Sequence, residues 1–285
     1  MPPRALAFVI IAAFFHATWN FVIKKINDRE LVTWWAIMVG SLLALPFVWS
    51  SIAMSATMWP YILSSALAEA IYFLTLLHGY ERADFSLIYP IGRGAAPALI
   101  ACWSRLFIGE HQKTFGIAGI ILILLGLIVV GAGHALFKRR SAPVNVKGIL
   151  LALFVAAMIS AYSVIDAAAV RMVSPLPYFT LVLALTGLFI APVVLIKHGY
   201  RAALEKWQTN FPQIGLIAIL NSLAYVLVLK AYAIAPVSYV GAIREVSIVL
   251  AAIAGWRWLG ENFGMIRVFG AVLIFIGIFV IALAG

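Results

Sequence analysis

The sequence predicts an all-α integral membrane protein, ten transmembrane helices arranged as two five-helix repeats of inverted topology. Three observations carry that expectation. Of the 285 residues, 65% are hydrophobic and only 11% are charged. A soluble domain carries about 45–50% apolar and about 25% charged residues, so this chain lacks the polar residues to clothe a soluble surface. Ten apolar stretches approach the roughly 20 residues that a helix needs to cross a hydrocarbon core about 30 Å thick. The second half of the chain also repeats motifs of the first, in the same order.

The first stretch, 4–24, follows one early charge, Arg4, and ends on Lys24 and Lys25. No Ala-x-Ala cleavage pattern follows it, so it reads as a retained helix and not as a signal peptide. The next four stretches run 31–50, 59–78, 84–106 and 114–133, and the last five 147–169, 177–196, 212–231, 236–259 and 263–284. The connections are short. The longest, 134–146 and 197–211, are too small to fold as soluble domains. Cys102 is the single cysteine and lies in an apolar run, which excludes an intrachain disulfide and a cysteine-built metal site and leaves it a packing role.

The net charge of +10 does not point to nucleic acid, because the basic residues lie between apolar runs and form no stripe. They bear on topology instead. Thirteen lysines and arginines fall on odd-numbered connections and five on even-numbered ones and the N-terminus. Positive charge favours the cytoplasmic side, which puts both termini outside. The Lys138-Arg139-Arg140 run reads as a solvated loop or one facing lipid headgroups.

The repeat appears when Gly79–Ser86 is aligned with Ala231–Ser238. Tyr80 then matches Tyr232, Ala83 matches Ala235 and Ser86 matches Ser238. Further on, Arg93 matches Arg244, and Gly109-Glu110 matches Gly260-Glu261. The chain therefore divides into 1–140 and 141–285, five helices each. Five is odd, so the second half enters the membrane with opposite orientation. Inverted repeats of this kind place a transported solute near the bilayer midplane, where the halves meet.

Charges inside the apolar stretches mark where that site should be. Glu69, Arg93, Arg244 and Glu245 each sit well inside a span. A charge at the bilayer centre costs about 2.5–3.5 kcal/mol, so these groups must pair or line a wet cavity. Arg93 is expected to reach Glu69 on the neighbouring helix. Arg244 and Glu245, adjacent and therefore about 100° apart on a helix, should need separate partners. The arginines suit an anionic substrate group through their planar fork of donors. Glu69 or Glu245 is a candidate to carry a coupling proton.

Pro90, Gly92, Gly94 and Pro97 fall within eight residues, which predicts a break in the fourth helix beside the cavity. Gly241 stands at the position matching Pro90 in the ninth. Polar and aromatic stripes complete the expected site. His16, Trp19 and Asn20 share a face of the first helix, Glu69, Tyr72 and Phe73 of the third, Tyr162, Ser163 and Asp166 of the sixth, and Asn221 and Tyr225 of the eighth. Tyr89 precedes the Pro90 turn. Helices one, three, four, six, eight and nine should face inward.

The sequence holds no HExxH, Walker or Gly-x-Ser-x-Gly motif, so neither an enzyme nor ATP-driven transport by this chain is expected, and no cofactor or metal. Ten apolar helices in two halves, "Tyr-Pro-Ile-Gly-Arg-Gly" at 89–94, and a Gly-Glu after the fourth helix and again after the ninth resemble an EamA-type transporter of the drug/metabolite transporter superfamily. The resemblance covers the whole chain. It implies secondary transport, often export, of amino acids or other small metabolites through a central cavity, in a bacterial inner membrane, with Arg93 and Arg244 central. Glu245 departs from symmetry, since Gly94 stands at its place in the first half. Two other classes remain in view: an exporter of lipophilic cations, which Glu69 and the aromatic stripes would suit, and a membrane accessory protein that transports nothing.

Overall fold

A computed structural model describes residues 1–26, 28–49, 54–82, 85–137, 146–247, 249–250 and 265–284. All regular structure among them is helical: α1 (Pro3–Lys24), α2 (Arg29–Val48), α3 (Trp59–Arg82), α4 (Phe85–Trp103), α5 (Thr114–Phe137), α6 (Val146–Ala169), α7 (Pro175–His198), α8 (Tyr200–Thr209), α9 (Phe211–Tyr232), α10 (Val237–Arg244) and α11 (Met265–Ala284). Prolines start α1, α7 and α9, where the missing N–H would have no intrahelical partner. Among the described residues, five helices are long and apolar enough to cross a membrane: Pro3–Ile23, Arg29–Val48, Leu150–Ala169, Pro175–His198 and Phe211–Tyr232. Thr114–Val129 and Val268–Leu283 are shorter apolar segments. Large apolar side chains such as Phe47, Phe115, Ile196 and Phe279 point outward. Such a surface suits hydrocarbon and not water.

The packing relates the two halves. Let α1 to α5 exchange places with α6, α7, α9, α10 and α11. The contact of α1 with α9 then becomes that of α6 with α3, α2 with α9 becomes α7 with α3, and α4 with α6 becomes α10 with α1. The pairs α2–α7 and α5–α11 map onto themselves. The amino group of Met1 donates to the Ala282 carbonyl at 3.1 Å, so the start of α1 and the end of α11 lie at one end of the bundle.

Glycine lets α5 and α11 touch backbone to backbone. A Cβ on Gly119 would stand 2.8 Å from the Gly277 carbonyl oxygen, and one on Gly277 would stand 2.7 Å from that of Gly119. Small residues serve this close approach in membranes, where the hydrophobic effect gives helices no reason to associate. Gly119→Ala is therefore expected to cost about 1–3 kcal/mol, read as a lowered thermal midpoint in detergent. Gly215→Ala, where the added carbon meets nothing within 4 Å, should leave the midpoint unchanged.

One local expectation needs correction. The fourth helix is not broken: α4 runs unbroken from Phe85 to Trp103 and passes into a π turn over Ser104–Ile108. The carbonyls freed by proline are accommodated within one helix, and the interruption falls in the second half, where α10 ends at Arg244. The connection 197–211, expected only to be too small for a soluble domain, holds a short helix. It forms α8, whose Trp207 packs against Trp35 at 4.9 Å between ring centroids, with the rings tilted, and edge-to-face against Phe211 at 5.1 Å. Lys206 pairs with Asp28 at 2.8 Å, and Trp35 donates to the Ala203 carbonyl. Aromatic and charged residues together suit a membrane–water boundary. The signal was present in Tyr200, Ala203, Leu204 and Trp207, an i, i+3, i+4, i+7 pattern on a segment too short to cross a bilayer. Ala83, the Lys138-Arg139-Arg140 run, Arg257 and Gly260-Glu261 lie outside the described residues, as do the side chains of Tyr89 and Pro90.

Candidate functional site

Six helices enclose a central cavity of about 70 Å³. From the first half, α1 contributes His16 and Trp19, α3 contributes Glu69, Tyr72 and Phe73, and α4 contributes Arg93. From the second, α6 contributes Tyr162, α9 contributes Asn221 and Tyr225, and α10 contributes Arg244. The inward-facing helices are those the polar stripes pointed to. Phe73 lies beside Tyr72 at 5.0 Å between ring centroids, and Tyr72 and Tyr162 face each other at 6.0 Å. A larger groove of about 440 Å³ opens sideways, with Leu74, Leu151, Phe154 and Val193 in its walls. Its charged residues, Glu30 and Lys197, pair at 2.9 Å. It gathers no buried charged groups and suits lipid better than a polar solute.

The charges meet across the halves. Arg93 Nε lies 3.0 Å from Glu245 Oε2, and Arg244 Nε lies 3.6 Å from Glu245 Oε1. Glu245 is fully buried, so one carboxylate sits between two guanidiniums. The expected Arg93–Glu69 pair does not form. The reason is helix order: α3 packs mainly on α6 and α7, whereas α4 packs on α6, α5 and α10. Glu69 turns instead to α7 and accepts from Thr186 Oγ1 at 3.0 Å. The expectation of separate partners for Arg244 and Glu245 also fails. At Glu245 the backbone leaves the α-helix, its N–H donating to the Ala242 carbonyl three residues back, and the tightened turn lets neighbouring side chains meet.

Arg93 Nη2 also stands 3.2 Å from His16 Nε2 and 3.5 Å from Ser247 Oγ. His16 is approached from its other nitrogen by Trp19 Nε1 at 3.3 Å. A neutral imidazole has one acceptor nitrogen, which the guanidinium claims as the stronger donor, and this geometry leaves no place for a cationic His16. Asn20 does not face the cavity; its amide donates to the His16 carbonyl at 2.7 Å.

Asp166 is fully buried and sits behind the cavity wall, not in it. Its Oδ1 accepts from Ser65 at 2.5 Å and from Tyr178 at 2.8 Å, and its Oδ2 accepts from Tyr225 at 2.7 Å. Three hydroxyl donors thus converge on one carboxylate. Sequence reasoning missed Ser65, Tyr178 and Thr186. Ser65 was within reach, four residues before Glu69 on the same face of α3. Tyr178 and Thr186 lie in apolar context with no local signal. Among the described residues, Arg244 Nη2 is buried and has no hydrogen-bond partner.

The chain is similar over 99% of its length to 99% of a protein of known crystal structure, with a TM-score of 0.77 at 17% identity, which speaks to the fold alone. None of the curated proteins compared with it matches the sequence. The family model for the EamA-like transporter family matches twice, over residues 3–132 and 146–283. Those two matches take in both arginine-bearing halves, and the chain belongs to the EamA-like transporter family.

Proposed function

We propose that the protein is a secondary transporter that exports a small polar metabolite, an amino acid or organic anion, by alternating access across a bacterial inner membrane. In this reading ten spans form two inverted halves, 1–140 and 141–285, that rock about the central cavity. The observation that supports it best is the Arg244 guanidinium, which lines the cavity with a buried N–H group that no described protein group uses. Leaving such a donor unpaired is costly, and a carboxylate or phosphate oxygen would satisfy it. The present volume is small beside the roughly 300–1,000 Å³ of ligand pockets, so the cavity must widen to load.

Among the described residues the buried acids outnumber the buried bases, with Glu69, Asp166 and Glu245 against Arg93 and Arg244. The two arginines stay charged. Glu245 lies between them and Asp166 holds three donors, so these two balance them. Glu69, with a single side-chain donor, is left to carry the coupling proton; buried charge is tolerated only when paired.

Arg244→Ala is expected to lower uptake into proteoliposomes by roughly ten- to a hundredfold, the worth of one or two charged hydrogen bonds. Arg93→Ala should also impair it. Unchanged uptake across a panel of amino acids and organic anions would overturn the assignment. The aromatic wall of Tyr72, Phe73 and Tyr162 beside Glu69 favours a second reading, export of lipophilic cations. The two arginines oppose it. Cation resistance on expression, lost in Glu69→Gln, would reverse the order.

A further inference from the structure

The two halves also meet at one end of the bundle, through a residue outside the cavity. After the π turn that closes α4, Gly109 takes a left-handed conformation at φ 69° and reverses the chain. The Glu110 N–H returns to the Ser104 carbonyl at 3.1 Å. Gln112 fixes the turn, donating to Ser104 Oγ at 3.1 Å and to Glu110 Oε1 at 3.4 Å. The Glu110 side chain is thereby aimed across the boundary between halves at the N-terminus of α10. Its Oε2 accepts from the Val237 N–H at 2.8 Å and its Oε1 from the Ser238 N–H at 3.3 Å, and the Ser238 hydroxyl donates to it as well.

A helix N-terminus presents unpaired N–H groups and a partial positive charge. α10 has no cap of its own, because Pro236 stands at its N-cap and no side chain there bonds to it. The cap comes from the other half. A second bond joins the same segments, from the Lys113 N–H to Tyr239 Oη at 3.1 Å, where Gly116 leaves the space that the Tyr239 ring needs.

We propose that Glu110 is a latch between the two halves: its carboxylate holds the N-terminus of α10 to the end of α4, and its release opens the cavity toward that end of the bundle. The proposal rests on the transport reading above. α4 carries Arg93 and α10 carries Arg244, so parting these ends separates the two arginines that close the site. The side-chain cap crosses the boundary through a single carboxylate and breaks as one unit. The sequence repeats both partners, with Ser86 and Glu261 standing where Ser238 and Glu110 stand in the opposite halves. A device needed at each end of an alternating cavity would be duplicated in this way.

The test uses the full chain in oriented membrane vesicles, with the exposed Cys102 changed to serine and the cavity residue Ala224 changed to cysteine. A membrane-impermeant sulfonated maleimide is added to each face in turn. The face of the α4–α5 connection is identified with the same probe on Lys113→Cys. Glu110→Gln is expected to raise the labelling rate from that face by on the order of tenfold relative to the other face. Ser238→Ala, which spares the backbone bonds and the fold, should shift the ratio less and in the same direction. A ratio unchanged in both variants, or labelling that rises equally from both faces, would overturn the latch. The two proposals fail separately: an unchanged ratio with uptake still lowered by Arg244→Ala sinks only the latch, and a shifted ratio in a chain that moves no solute sinks only the transport reading.

Discussion

Glu245→Ala is expected to lower the stability of the folded chain by about 3–5 kcal/mol, the cost of removing one partner from a buried ion pair. The substitution leaves two guanidiniums facing each other across the boundary between the halves with no carboxylate between them. Arg93 keeps His16 and Ser247 nearby, but both are neutral and neither offsets its charge. Arg244 keeps no described hydrogen-bond partner at Nη2. Glu245→Gln preserves volume and one acceptor oxygen but not the charge, so it should fall between the parent and the alanine variant. Thermal unfolding in detergent, with the yield of monodisperse protein, measures both. An alanine variant within about 1 kcal/mol of the parent would mean that the arginines draw their compensation from water or bound anion, and the trio would then be no structural clamp.

Four of the buried charges, Glu69, Arg93, Arg244 and Glu245, were legible in the sequence because each breaks a run of apolar residues; Asp166, the fifth, was read only as part of a polar stripe. The Arg93–Arg244 correspondence was legible because the repeat sets the two residues at matching positions. Their pairing was not. Two acids and two bases on three spans permit more than one neutral pairing, and the choice depends on which helices touch. That order is a tertiary property: α3 lies against α6 and α7 and barely reaches α4, so Glu69 meets Thr186 and Arg93 meets Glu245. Asp166 was misplaced for a related reason. It lies one turn beyond Tyr162, and a 40° offset on α6 is enough to turn one side chain into the cavity and the other toward α3 and α7. The amphipathic α8 was missed for a different cause, since a search for 20-residue apolar runs passes over a ten-residue helix.

Asp166→Ala is expected to be nearly as damaging as loss of Glu245, at about 3–5 kcal/mol, but for the opposite reason. Nothing charged is left unpaired; three donors lose their acceptor. Each buried donor left unsatisfied costs about 1–3 kcal/mol, and the three do not pay alike. Tyr178 is fully buried, out of reach of water. Tyr225 borders the cavity, where water can replace the lost bond, and Ser65 can turn to a carbonyl of its own helix. Tyr225→Phe should therefore cost less than about 1 kcal/mol, while Asp166→Asn, which keeps one acceptor oxygen and lets a hydroxyl rotate to accept from its amide, should cost about 1–2 kcal/mol. The ordering Ala above Asn above Tyr225→Phe in thermal unfolding is what an ionised, structural carboxylate requires. An asparagine variant as stable as the parent would mean that the side chain is neutral when buried. If that variant had also lost uptake, the coupling proton would belong to Asp166, and Glu69 would be the acid that balances the arginines.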